Sequence, residues 1–257
     1  MNIFLLSLID KSIGGAMVKL SHLSAQSPII SLQHKQILAR LTEKIITTYI
    51  AFFKSVGVIP VGFEFSSKQM IKKWSSVDFT SCNLDYIEKK LVGLIDVPIV
   101  TSVVPIHSHL NRSGKLFLFT GIAVLEGSDQ YVEFFLNEFC VNSMSIRFSS
   151  GSLHYLDQIL EKRSSSELAS PRKLASHYGI NYNQFQKDCR THFGDTFHQF
   201  HNKMKMLDAV GDILFTNYSL KEIAYRNKFF NYNSMYILFR KKYNFPIDSI
   251  PRLLTEI

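Results

Sequence analysis

The chain has 257 residues, of which 46% are hydrophobic and 19% are charged. This length fits one large or two ordinary globular domains, and the composition excludes a disordered chain. The three cysteines, Cys82, Cys140 and Cys189, are far apart and form no CxxC pair, which argues against a zinc ribbon and a disulfide framework. We expect a protein of the reducing cytosol.

The net charge of +8 is concentrated in the last third of the chain. Residues 168–257 hold 13 basic and 7 acidic residues, or +6, whereas residues 1–167 hold 16 and 14, or +2. A basic region of this kind predicts a polyanionic partner, and nucleic acid is favoured over a membrane.

The chain starts with an apolar sequence, MNIFLLSLID. No basic residue precedes it, it has no convincing cleavage site, and it is shorter than the roughly 20 apolar residues that cross a bilayer. We therefore expect a buried segment and no membrane partner. Met1 and Met17 are both candidates for the true start.

Residues 1–150 are predicted to form an α+β domain with a mostly antiparallel sheet. Apolar residues at helical spacing predict a long helix from Gln33 to Gly57. Shorter helices are predicted at SSKQMIKKW (66–74) and NLDYIEKKLVGLI (83–95). Apolar and β-branched runs predict strands, with a hairpin connection at EGSDQ (126–130). These predicted strands are VIPVGFEF (58–65), VPIVTSVVPI (97–106), KLFLFTGIAVL (115–125), YVEFFLNEF (131–139) and VNSMSIRF (141–148).

Two features of this first half could mark a site. His107 and His109 are two residues apart on a predicted strand, so both rings point to one face, as metal ligands often do. No third ligand is evident nearby in the sequence, and a polar strand end is the simpler interpretation. Aromatic side chains could line an apolar pocket, although core packing is the simpler account: Phe117, Phe119, Phe134 and Phe135.

Enzyme signatures are absent from the sequence: there is no Gly-rich phosphate loop, no H-E-x-x-H and no G-x-S-x-G. We therefore predict that the protein is not an enzyme and needs no cofactor or metal. The alternative is an N-terminal catalytic or metal-binding domain, using His107 and His109, fused to a DNA-targeting domain.

The character of the chain changes near residue 150. The sequence SLHYLDQILEKR (152–163) has helical spacing, a Ser-rich connection follows, and no strand pattern appears after it. Residues 151–257 are therefore predicted to form a separate, all-α domain.

The triplet Asn-Tyr-Asn occurs twice in this second part, at 181–183 and at 231–233. After each copy, apolar residues recur at positions i, i+4 and i+8, which is one face of a helix. Gly194 and Asn244 follow these helices and favour the left-handed conformation that ends a helix. The apolar residues, predicted to be core, are Phe185, Cys189 and Phe193, and Met235, Phe239 and Tyr243.

A short helix is predicted before each copy of the triplet. Before the first copy, Ser170 can cap a helix, Pro171 suits its first position and Gly179 can end it. Before the second copy, Ser219 and Glu222 have the spacing of a capping box. Small residues in both short helices, Ala175 and Ala224, allow close helix crossing, so two helix-turn-helix units are predicted, joined by a long helix within 195–218.

This arrangement resembles the AraC/XylS family of bacterial transcription regulators, whose DNA-binding domain has two helix-turn-helix units bridged by a long helix. The resemblance covers about residues 152–252 and rests on the pattern LA…G…F…FG in the first unit and SxxEIA…F…F-R-K-x-Y in the second. The chain departs from the family pattern at three places, Lys228, Asn244 and Pro246-Ile247.

The resemblance implies which residues contact double-stranded DNA. Side chains for reading bases would be Asn183, Gln186 and Lys187 in the first unit, and Tyr232, Asn233 and Ser234 in the second. Phosphate contacts would come from Arg190, Arg240, Lys241 and Lys242. For the first half the resemblance implies a sensing or dimerisation role, with a small-molecule effector, RNA polymerase and a second copy of the chain as further candidate partners.

Overall fold

The computed structural model describes residues 1–24, 32–63, 65–75, 101–126, 131–148, 151–161 and 170–255. Two long helices come first, α1 (Ile3–Ser24) and α2 (Leu32–Ser55). The strands follow as β1 (Phe65–Ser75), β2 (Thr101–Arg112), β3 (Lys115–Glu126) and β4 (Tyr131–Asn142). The later helices are α3 (His154–Glu161), α4 (Pro171–His177), α5 (Tyr182–Phe193), α6 (Phe197–Phe215), α7 (Leu220–Arg226) and α8 (Tyr232–Ile237).

The described strands form an antiparallel sheet in the order β1-β4-β3-β2. A tight turn joins β2 to β3, with φ of 52° at Ser113 and 72° at Gly114, as in the hairpin turns that match strand twist. Alternate residues of the sheet are buried in the core shared with α1 and α2, among them Leu118, Ile122, Phe135 and Phe139. The predicted antiparallel sheet is thus confirmed.

The prediction of a helix at SSKQMIKKW was wrong, because these residues lie in β1. This strand pairs with β4 over its whole length, from Phe65 opposite Val141 to Ser75 opposite Tyr131. All eleven residues of β1 pair with β4, and this pairing cannot be predicted from the local spacing of apolar residues. Pairing with a distant strand outweighs the local preference for a helix.

The prediction of a strand at VIPVGFEF was also wrong for its first six residues. They form turns that close the end of α2, where the N–H groups of Val58 and Ile59 both donate to the carbonyl of Phe53, at 2.9 and 3.1 Å. Val58 and Ile59 are buried, so their apolar character reflects burial in a turn and not a strand.

The predicted strand VNSMSIRF is wrong beyond its first two residues. Strand β4 ends at Asn142, whose side chain accepts a hydrogen bond of 3.0 Å from the N–H of Met144 and caps a 3-10 turn at Ser143–Ser145. The predicted helix at 83–95, the hairpin connection at 127–130 and Cys82 lie outside the described residues.

Helix α1 confirms that the apolar start of the chain is buried. Leu6, Ile9 and Ile13 are at most 2% exposed, and the helix packs against α2, β2 and β3. Within the described ranges, no helix combines the length and the apolar character that crossing a bilayer requires.

The second part of the chain is helical, as predicted, and shares a continuous apolar core with α1 and α2. The ring of Phe4 lies 5.5 Å from that of Phe193 and 6.3 Å from that of Phe200. The ring of Phe52 lies 5.6 Å from that of Phe245. Both N-terminal helices therefore contact the helical part as well as the sheet.

Candidate nucleic-acid interface

Helices α4 and α5 form the first helix pair. The hydroxyl of Ser170 accepts from the N–H of Lys173 at 3.4 Å, and Pro171 is the first residue of α4, as predicted. Past the end of α4, Gly179 has φ of 66°, and the N–H of Ile180 returns to the carbonyl of Ala175 at 2.9 Å. This bond is the six-to-one contact of a Schellman cap, so the turn is fixed by its own backbone.

Helices α7 and α8 form the second helix pair. The predicted capping box is present: the N–H of Glu222 donates to the Ser219 hydroxyl at 3.2 Å, and the Glu222 carboxylate accepts from the N–H of Ser219 at 2.7 Å. Hydrogen bonding to the side chain of Ser219, and then to its backbone N–H, lowers the pKa of the Glu222 carboxyl. The N–H of Phe229 donates to the carbonyl of Ala224 at 2.9 Å, the counterpart of the bond between Ile180 and Ala175.

The two pairs have the same backbone conformation at two equivalent positions, the turn between the helices and the end of the second helix, although the residues there differ. Lys228, with φ of 56°, takes the place of Gly179, and Asn244, with φ of 49°, takes the place of Gly194, with φ of 76°. The departures from the family pattern at these two positions therefore leave the left-handed turn geometry intact. A lysine in this conformation is strained, because its Cβ crowds the backbone.

The apolar face predicted for each second helix is buried, except that Tyr243 is only half-buried. Burial, and then the charge of Asp188, raises the pKa of the Cys189 thiol to about 12. Cys189 is thus an inert core residue. Helix α8 runs on into a π-helical turn, Leu238–Lys242, which carries three of the predicted phosphate contacts.

Helix α6, 19 residues long, is the predicted connector between the two pairs. The Lys205 ammonium donates to the carbonyl of Lys228 at 2.7 Å, and the Asn227 amide donates to the Asp212 carboxylate at 2.8 Å. Both bonds fix the turn of the second pair onto α6. The helix is also anchored by buried apolar side chains: Phe197, Phe200, Met204, Leu207, Ile213 and Leu214.

One buried lysine links the two helix pairs. Lys203 of α6 forms an ion pair with Asp195, just after α5, and its ammonium lies 5.9 Å from the ring centroid of Tyr243, just after the π-helical extension of α8. Burial, and then the charge of Asp195, raises the pKa of Tyr243 to about 12. Since a buried charge must be compensated, this cluster resists relative movement of the two pairs.

Hydrogen bonds from α3 and from the start of the chain also hold the inward-facing side of helix α5. The Tyr155 hydroxyl of α3 donates to Asp188 at 2.7 Å, and the Asp157 carboxylate pairs with the buried ring of His192 at 2.8 Å. From the first half of the chain, the Asn2 amide donates to the carbonyl of His192 at 2.8 Å. The opposite side of α5 is left to solvent.

The structure places the residues predicted to contact DNA as follows. On α5, Gln186 is half-buried, whereas the others are exposed: Asn183, Lys187 and Arg190. On α8 and its extension, Tyr232 and Ser234 are half-buried, whereas the others are exposed: Asn233, Arg240, Lys241 and Lys242. The assignment of these side chains to bases or phosphates stays a prediction.

The repeated triplet has a structural role at its first residue. Asn181 and Asn231 are the N-caps of α5 and α8, and each side chain accepts a hydrogen bond of 2.8 Å from the N–H three residues on. Ser234 completes a reciprocal cap, since its hydroxyl accepts from the N–H of Asn231 at 3.1 Å, and the same hydroxyl donates to the carbonyl of Asn231 at 2.7 Å. Its hydroxyl is therefore engaged within the helix.

Sequence reasoning missed two exposed aromatic side chains beside α8. Phe230, next to the N-cap of α8, is 94% exposed, and Tyr225 of α7 is 85% exposed. The pattern could have revealed Phe230, because Phe229 occupies the apolar position of the turn. Ile237 on α8 is 49% exposed, so the second pair offers apolar as well as polar surface.

The histidine pair in the first half gains a partner that sequence reasoning missed. The Nε2 atoms of His107 and His109 each lie 2.7 Å from Oδ2 of Asp10, and 3.2 Å from each other. Burial opposes ionisation of Asp10, but hydrogen bonds from both histidines outweigh it and lower the pKa of the carboxyl. No local signal pointed to Asp10, which is 97 residues before His107.

The four phenylalanines that could line an apolar pocket lie on β3 and β4 and pack within the sheet. Phe134 and Phe135 are buried, and Phe117 and Phe119 are half-buried with their rings stacked 6.5 Å apart. Phe135 also borders a cleft between α2 and β4, whose lining includes Thr42, Glu43 and Asn137.

Comparison with known protein families gives a match, which covers both helix pairs. Residues 174–248 match the family model of a helix-turn-helix domain, of the AraC type. The match begins in α4 and ends after α8, and it confirms the predicted resemblance to AraC/XylS regulators. Neither the curated proteins nor the solved structures gave a match to the chain.

Proposed function

We propose that this chain, a DNA-binding regulator of the AraC type, inserts α5 and α8 into neighbouring major grooves on one face of a duplex. The observation that carries the proposal is the recurrence of one cap-turn-cap geometry on a single connecting helix. Recognition helices of helix-turn-helix proteins contact base edges with their N-terminal residues. Two such helices one DNA turn apart, about 34 Å, would cover about 20 base pairs.

In the first unit, bases are read by Asn183, Gln186 and Lys187. Asn and Gln form bidentate hydrogen bonds with adenine, and Lys donates to O6 and N7 of guanine. Asn183 and Lys187 are exposed, whereas Gln186 is half-buried, which limits its reach. The back of this helix is held by Tyr155 and Asp157 of α3, which bond to Asp188 and His192 of α5, so the reading side chains are presented on a fixed support.

In the second unit, bases are contacted by Tyr232, Asn233 and Ser234, with Ile237 against a thymine methyl. This unit discriminates less, because the Ser234 hydroxyl is engaged in the helix cap and Ile237 forms no hydrogen bond. The ring of Tyr232 packs 6.1 Å from that of Tyr236, which further restricts it. Exposed Phe230 adds an apolar contact beside the N-terminus of α8.

Phosphates are bound by Arg190 on α5 and by Arg240, Lys241 and Lys242 on the extension of α8. All four are exposed. Such contacts fix the protein on the duplex and make its affinity salt-dependent, but they carry no sequence information.

The first half serves as a sensing or dimerisation domain. Its helices reach the reading unit directly, since Phe4 packs on Phe193 and the Asn2 amide bonds to the carbonyl of His192. A small-molecule effector, a second copy of the chain and RNA polymerase are the partners such a domain would engage. The family match, at residues 174–248, gives no support to catalysis by His107 and His109.

Genome-wide mapping of bound sites tests this function. The recovered consensus should contain two blocks of preferred bases separated by about one helical turn, roughly 10 base pairs, with the stronger block under the first unit. A consensus with only one block, or no consensus at all, would overturn the two-groove proposal.

A further inference from the structure

Three potential metal ligands converge between α1 and β2. The Nε2 atoms of His107 and His109 and Oδ2 of Asp10 lie 2.7, 2.7 and 3.2 Å from one another. The three residues come from two different elements, and each directs a single atom to the same point. His107 and His109 share a face of β2 because side chains alternate along a strand.

The size of this triangle suits one metal ion. Its sides of 2.7, 2.7 and 3.2 Å give a circumscribed circle of radius about 1.7 Å. Transition metals bind nitrogen and carboxylate oxygen at about 2.0–2.2 Å, so an ion above the plane reaches all three atoms without moving them far. Two imidazoles and one carboxylate favour Zn²⁺, Fe²⁺ or a similar ion over Mg²⁺ or Ca²⁺.

Helix α1 is shaped to receive the ring of His107. Gly14 is one helical turn after Asp10, so both face β2, and a Cβ added at Gly14 would lie 2.7 Å from Nδ1 of His107. The adjacent Gly15 meets nothing within 4 Å. The glycine at position 14 thus makes room for the ring beside the carboxylate.

A further polar group lies next to the cluster without a partner. Thr120 on β3 is directly opposite His107 in the register, and its buried hydroxyl has no hydrogen-bond partner in the described part of the chain. Buried polar groups of this kind are rare and point to a missing water, ion or ligand. An ion pair of Asp10 with the two histidines would leave Thr120 unexplained.

We propose that Asp10, His107 and His109 bind one divalent transition-metal ion and that its remaining coordination positions face solvent. The side chains of His107 and His109 are 34% and 52% exposed, whereas that of Asp10 is 9% exposed. The ion is thus held from the inside by the carboxylate and reached from the outside past the imidazoles. Three protein ligands with open positions are the arrangement of exchangeable and catalytic sites, not of closed structural ones.

The bound ion ties α1 to the sheet. Six residues before Asp10 on the same helix, Phe4 packs against His192 and Phe193 of α5. Helix α1 therefore carries both a ligand of the metal ion, Asp10, and a side chain that packs against α5, Phe4. The site itself does not depend on DNA binding, so the two proposals stand or fall separately.

Zinc titration of the whole, tag-free protein after chelation and desalting tests the site. We expect one Zn²⁺ per chain by calorimetry, and one Co²⁺ per chain with visible absorption bands of low coordination number. Asp10→Asn and His109→Gln should each weaken binding at least tenfold, whereas His198→Gln, an exposed histidine of α6, should bind as the wild type does. A wild-type protein without a stoichiometric site, or equal affinity in His109→Gln, would overturn the proposal.

A pair of glycine variants tests the site without removing a ligand. Gly14→Ala should weaken Zn²⁺ binding at least tenfold by displacing the His107 ring, and Gly15→Ala should leave it unchanged. Circular dichroism of both variants shows whether they are folded. Equal Zn²⁺ affinity of two folded variants would contradict the proposed geometry.

Discussion

The side chain of Asn231 caps α8 as that of Asn181 caps α5, with a hydrogen bond of 2.8 Å in each case. The two asparagines are 50 residues apart and belong to the repeated triplet (231 − 181 = 50). The first residue of the triplet therefore initiates the helix, whereas the third residue, Asn183 or Asn233, is exposed to solvent.

Removal of either cap should destabilise the protein. Asn181→Ala and Asn231→Ala should each lower the free energy of unfolding by about 1 kcal/mol, because the first-turn N–H groups lose their acceptor. Urea denaturation followed by circular dichroism measures this change. Asn183→Ala is the matched control, since it replaces an exposed helical residue, and a loss as large as that of Asn181→Ala would contradict the capping role.

Relief of the strained turn should stabilise the second pair. Lys228 has φ of 56°, so Lys228→Gly removes a left-handed lysine and should raise the free energy of unfolding by about 0.5–1 kcal/mol. The carbonyl of residue 228 still accepts from Lys205. Lys187→Gly, the same change within helix α5, should instead destabilise by about 1 kcal/mol. A fall in the melting temperature of Lys228→Gly would show that its side chain is needed for more than geometry.

Base and phosphate contacts should differ in their response to salt. Gln186→Ala or Lys187→Ala should weaken binding to the preferred site by about 1–3 kcal/mol. Lys241→Ala should weaken all duplexes alike and reduce the slope of log affinity against log salt by about 1. Fluorescence anisotropy at several salt concentrations separates the two effects. Lys11→Ala, exposed on α1, is the control, and equal affinity of Gln186→Ala, Lys187→Ala and the wild type would rule out this register.

The buried thiol should report the integrity of the first pair. Cys189 is fully buried with its pKa raised to about 12, so little thiolate forms near neutral pH. Alkylation followed by mass spectrometry should modify Cys189 only at urea concentrations that unfold the protein. Modification of Cys189 in native buffer, at the rate of a free thiol, would show that α5 is not packed as described.

The features that sequence predicted best are those with local, repeated signals. Residues a few positions apart are enough to predict the N-cap at Ser219, the buried apolar face of the helix that contains Phe185, and the connecting helix within 195–218. Asp10 was missed because its partner His107 is brought close only by the packing of α1 on β2. Residues 66–74 were assigned to a helix because nothing local reveals their pairing with β4. Long-range contacts of this kind are set by the whole fold and not by spacing along the chain.

A hydroxyl-radical footprint on the preferred duplex tests the central claim most directly. The account predicts two protected patches on one face of the duplex, centred about 10 base pairs apart, because α5 and α8 are fixed on α6. Protection of a single short patch would contradict it, as would equal affinity for the duplex and for heparin.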